Sequence, residues 1–164
     1  MIRNVSTKLV GLCLAGTVAT ASEAAGDLQW MHDSGEWGAW GAYAVPDSDF
    51  ILFSYGCTDM TGRLSLHVEL PIRDASEGER SWLELRRESA ELRFEGEVLF
   101  SEWHSEHQVI AHVPSTADTF DALKPYFDEP GLTTVAIPGA SESFPIDAAA
   151  AEALATVREV CTSR

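Results

Sequence analysis

The sequence contains no apolar run near the roughly 20 residues that a membrane-crossing helix requires. The run at residues 9–18 (LVGLCLAGTV) is about half that length. Basic charge is also scarce, with 11 Lys and Arg against 26 Asp and Glu and a net charge of −15. Phosphate backbones and anionic lipid surfaces would repel such a chain, which excludes nucleic acid and acidic membranes as partners. No P-loop, dinucleotide fingerprint, HExxH, GxSxG or paired CxxC occurs. Without them the residues name no reaction, no cofactor and no enzyme class. Cysteine is limited to Cys13, Cys57 and Cys161. The composition itself is ordinary, 45% hydrophobic and 23% charged, as for one folded domain.

The first residues differ from the rest. Arg3 and Lys8 precede the short apolar run, no acid appears before Glu23, and small residues follow it. Ala19-Thr20-Ala21 and Ser22-Glu23-Ala24 both have the spacing that signal peptidase reads. The expectation is a signal peptide over 1–24, a single domain over 25–164, and a periplasmic or secreted location. Cys13 does not fit a lipoprotein site, because Leu12 stands where a small residue is needed. A cut after Ala21 would remove two positive residues and no negative one, taking the net charge from −15 to −17. Only Cys57 and Cys161 would remain, and in an oxidising compartment they have one possible pairing. Such a bridge closes a loop of about 100 residues, for roughly 4–5 kcal/mol of loop entropy.

The middle of the chain alternates with period two. In residues 63–70 (RLSLHVEL), Leu64, Leu66, Val68 and Leu70 share one face and Arg63, Ser65, His67 and Glu69 the other. Residues 91–100 repeat this, with Gly96 placed for a bulge or a close approach. Residues 50–57 (FILFSYGC) are apolar on both faces and read as a central, covered strand. Shorter strands are expected at 82–87, 108–113 and 132–137, with turn residues between them. A helix over 115–127 opens on Ser115 or Thr116 and is limited to about two turns by Pro125. A second helix, capped by Asp147, carries Ala150, Ala153, Leu154, Val157, Val160 and Cys161 on one stripe. The fold class is mainly β: an antiparallel sandwich or open barrel, with one short helix and a C-terminal helix packed on the sheet.

Candidate chemistry is sparse. His104, Glu106 and His107 are residue types that suit zinc or copper, although on a strand the two histidines would point to opposite faces. A solvated hairpin tip explains them equally, and the reading is that no metal is bound. His67 sits on a polar face, and Ser54, Ser65 and Ser105 have no base assigned to them. Glu84 and Glu95 could face one another across a strand pair. Trp37, Trp40 and Tyr43 recur every three residues among small ones, either as a recognition surface or as packing over one end of the domain.

An early tryptophan strand, Cys57 before a regular strand, a short helix at 120–123, Phe144-Pro145-Ile146 and an alanine-rich helix ending in Cys161 follow one another in order. This order resembles small exported alphaproteobacterial proteins of the invasion-associated locus B type. Periplasmic accessory proteins of type VI secretion systems have a similar closing pattern. The resemblance implies an envelope-associated, non-enzymatic role. Residues and resemblance together point to a non-catalytic periplasmic interaction module, its partner another envelope or secreted protein, with the acidity read either as a solvated surface or as a match to a basic partner. The alternative is an inhibitor or immunity-type protein that neutralises a basic envelope hydrolase such as lysozyme.

Overall fold

The computed structural model describes residues 28–58, 62–72, 75–88, 90–101 and 106–163, so the expected leader and His104 lie outside the described residues. Nine strands run β1 (Gln29–Gly35), β2 (Gly38–Ala44), β3 (Ile51–Thr58), β4 (Arg63–Val68), β5 (Arg80–Arg87), β6 (Ala90–Ser101), β7 (Glu106–Pro114), β8 (Gly131–Ile137) and β9 (Ala140–Ile146). Helix α1 (Ala117–Phe127) lies between β7 and β8, and α2 (Ala148–Thr162) follows β9. All described pairings are antiparallel, in one sheet of order β1-β2-β3-β4-β7-β6-β5-β8-β9. The sheet curls into a half-barrel, the open-barrel form of the expected fold class.

Alternation decides which side chains enter the core. Leu64, Leu66 and Val68 of β4 are fully buried, while Ser65 and His67 between them are not. Phe53, Tyr55 and Cys57 of β3 turn to the same side. Helix α2 lays Ala150, Leu154, Val157 and Cys161 over β1, β2 and β3. Helix α1 buries Phe120, Leu123, Tyr126 and Phe127 and packs toward β5, β6 and α2. Between the helices, Arg158 pairs with Asp121 at 2.9 Å. The Thr133 hydroxyl donates to the Tyr126 carbonyl at 2.7 Å and ties β8 to the end of α1.

Trp30 joins the two ends of the sheet. Its ring lies 5.5 Å from those of Tyr43 and Phe144 and 5.6 Å from that of Phe127. Its indole N–H donates to the Pro145 carbonyl of β9 at 2.8 Å. Phe53 stacks on Phe144 at 5.5 Å within the same cluster. Such tilted, edge and offset contacts are the favoured aromatic geometries. Cys57 and Cys161 form the disulfide, with Cα atoms 5.9 Å apart and a sequence separation of 104. The bridge pins α2 to β3.

Two expectations need correction, and two strands were not anticipated. Helix α1 runs for 11 residues through Pro125, because a proline in the last turn sacrifices one late hydrogen bond rather than breaking the helix early. Thr116 caps it, accepting from the Thr119 N–H at 3.3 Å. Strand β3 is covered on one face only: Ile51, Ser54 and Gly56 on its other face are partly open, since both helices lie on the opposite side. Strands β1 and β9 were not anticipated from the residues, because QWMHDSG and ASESFPI lack a clean apolar alternation. Each is a polar end strand held by one neighbour in the sheet.

Candidate functional site

The helix-free face of the sheet is built by the other half of each alternation. Strand register places Met31 and Asp33 of β1 opposite Ala42 and Trp40 of β2. It places Trp40 and Ala42 opposite Gly56 and Ser54 of β3. Ser54 and Gly56 in turn meet His67 and Ser65 of β4, and Ser65 meets His112 of β7. The outer surface of these strands carries a groove of about 390 Å³, walled by Trp37, Trp40 and Ile51 and bounded by Ser65 and His67.

Small residues keep the groove open. A Cβ on Gly56 would lie 2.7 Å from the Ala39 carbonyl and 3.0 Å from the Trp40 Cβ, so no larger residue fits that floor without displacing its neighbours. Gly38 follows the tight turn at Glu36 and Trp37 with φ of 137°, and a Cβ there would meet the Cys57 carbonyl at 2.0 Å. Only glycine allows that approach. Beside it the Trp37 indole folds back over Gly35, where an added Cβ would lie 2.6 Å from its Nε1. Trp37 stays 45% exposed in a protein that buries most of its large hydrophobic side chains.

Polar groups gather at the far side of the groove. Ser65 Oγ and His112 Nδ1 lie 2.9 Å apart. Burial first, and the nearby His112 second, hold the His67 imidazole below the usual histidine pKa. His67 is therefore neutral at pH 7 and offers one donor and one acceptor. Among the described residues Ser65 is the one hydrogen-bond partner of His112, so no third group orients the imidazole as a base. The cluster suits hydrogen bonding to a ligand at the edge of an apolar trough.

The recognition trio divides. Trp37 and Trp40 line the groove, whereas Tyr43 points to the helix side and packs 5.7 Å from Phe144. Burial and Asp147 push the Tyr43 hydroxyl above its ordinary pKa. Of the metal candidates, His107 packs edge-on against Phe100 at 5.3 Å, and Glu106 pairs with Ser101 in the β6–β7 hairpin. Among the described residues no three His, Cys, Asp or Glu side chains group as metal ligands. Glu84 stands opposite Arg93 rather than Glu95 and forms an ion pair with Arg86. Asp33, Gly56 and His112 were missed, because strand register brings them to Trp40 or to Ser65, Asp33 and Gly56 through the neighbouring strands β1 and β3 and His112 through the distant β7. No protein-family model, curated protein or solved structure matches this chain.

Proposed function

We propose that this protein is an exported, non-catalytic interaction module that holds a segment of another exported protein in the groove beside Trp37 and Trp40. The observation that carries this reading is the groove itself: an aromatic wall left open to solvent above a floor of Ala42, Ser54 and Gly56. Exposed tryptophan at the mouth of an apolar trough is costly to leave in water and effective as a binding anchor. The net charge of −15 favours a partner segment of basic character. The leader-like first residues, the disulfide and the resemblance to envelope proteins support an exported setting.

Photocrosslinking in the intact cell tests the reading. A photoreactive residue replacing Ser54 should give a defined adduct that mass spectrometry identifies as an exported protein. The same residue replacing Thr134, on the same face but distant from the groove, should not give it. Trp40→Ala should abolish the adduct. An adduct that persists with Trp40→Ala, or arises equally from position 134, overturns the groove as the docking site.

A further inference from the structure

We infer that the groove recognises a lysine or arginine side chain of its partner segment, seated between the two tryptophans and Asp33. This rests on the docking role proposed above and names the chemistry of what docks. Asp33 is the direct cross-strand partner of Trp40 on the outer face. Two residues further along the same face is Gly35, on which the Trp37 indole lies. One exposed carboxylate thus stands opposite Trp40 and one same-face position from the glycine beneath the Trp37 indole. Indole faces attract cations through their quadrupole, and a carboxylate beside them adds a charge-assisted hydrogen bond.

The same sheet face contains a filled counterpart. On β5 and β6, Arg93 lies 4.1 Å over the Trp82 ring, and Arg93 stands opposite Glu84. There the chain supplies tryptophan, carboxylate and cation together. Around Trp37 and Trp40 it supplies tryptophan and carboxylate, and among the described residues no cation lies over either ring. Asp33 accepts from the neighbouring Ser34 N–H at 2.8 Å, which steadies the carboxylate and leaves its charge intact. Asp49, just before β3, is a further exposed carboxylate. His67, the titratable group in the groove wall, is neutral at pH 7 and does not oppose a cation there. The trough of Trp40, Ile51 and Ala42 then takes an apolar neighbour of that lysine or arginine.

The test uses the disulfide-bonded protein and two seven-residue probe peptides, one alternating Leu with Lys and the other Leu with Gln. Binding is read by tryptophan fluorescence and calorimetry. The lysine peptide should bind about tenfold more tightly than the glutamine peptide, a preference that weakens as salt rises. Asp33→Asn, at an exposed position, should cut that preference to about threefold, the remainder coming from the indoles. Equal binding of both peptides to the unaltered protein overturns the cation assignment and leaves the docking groove standing. Failure of both peptides to bind, with the fold intact, overturns the cation assignment and the groove together.

Discussion

The two halves of the helix-free sheet face answer the same physical problem differently. On β5 and β6, Arg80, Trp82, Glu84, Arg86, Glu91, Arg93, Glu95 and Glu97 interleave charges of both signs, and the one tryptophan is covered by Arg93. On β2, β3 and β4 the positions at the groove are Trp40, Ala42, Ser54, Gly56, Ser65 and His67, and the one fixed charge on that face of these strands, Arg63, stands at the end of β4 outside the groove lining. Helices back both halves, α1 toward β5 and β6 and α2 on β1 to β3. Support from behind therefore does not distinguish them. One surface is satisfied within the chain, and the other leaves an aromatic trough over small residues. A sheet face finished by its own ion pairs serves solubility, whereas one left apolar at its centre serves contact.

The largest effect expected on this comparison comes from the bridge. Cys161→Ser should lower stability by about 2–5 kcal/mol. Amide exchange should show the loosening first in α2 and β1 to β3, with β5 and β6 protected longer. Uniform loss of protection would mean that the two halves open as one unit. A smaller and opposite effect is expected beneath the groove. The Tyr55 hydroxyl is buried without a hydrogen-bond partner among the described residues, and burial drives its pKa far upward. Tyr55→Phe should therefore raise stability by about 1 kcal/mol in urea denaturation, since it removes an unpaired buried polar atom. A loss of similar size would show that the hydroxyl has a partner after all.

Next in size is the ionic half. Arg93→Ala should cost about 0.5–1 kcal/mol, the worth of an exposed cation–π contact, and leave peptide binding in the groove unchanged. A change in groove affinity would show that the two halves are coupled. The smallest expected effect is on pH dependence. His67 has a folded pKa below its unfolded value of 6.5, so below about pH 6.5 the unfolded chain takes up a proton that the folded protein refuses. Stability should thus fall as pH drops through that window, and His67→Gln should flatten this part of the profile. A profile unchanged by the substitution would assign the pH dependence to other groups.

Much of the fold was legible because period-two alternation is a local property. RLSLHV showed its core side residue by residue, and the apolar stripe ending at Cys161 showed which face of α2 turns inward. The bridge followed from cysteine count and the expectation of an oxidising compartment. The groove was only half legible. Trp37, Trp40 and Tyr43 stood out as aromatic, but they were grouped by a spacing of three that a strand does not share. On β2, positions 40 and 43 differ by an odd number and so face opposite ways. The β3 strand read as covered on both faces because Phe50 and Ile51 extend its apolar run, yet Phe50 lies outside it and is 43% exposed.

Local alternation, capping and composition thus determined that this chain is an acidic, mainly β domain with a C-terminal helix stapled by Cys57 and Cys161. Only the tertiary structure decided which strands are neighbours. β4 lies beside β7 and β5 beside β8, pairings that span tens of residues and leave no trace in either segment alone. The first of those pairings sets Ser65 against His112, and the curl of the sheet sets Trp30 against Pro145 where its ends meet. Strand pairing is a choice among many apolar faces of equal period, and it is settled by which arrangement closes the core around Phe53, Phe127 and Phe144. The groove is what that closure leaves on the outside.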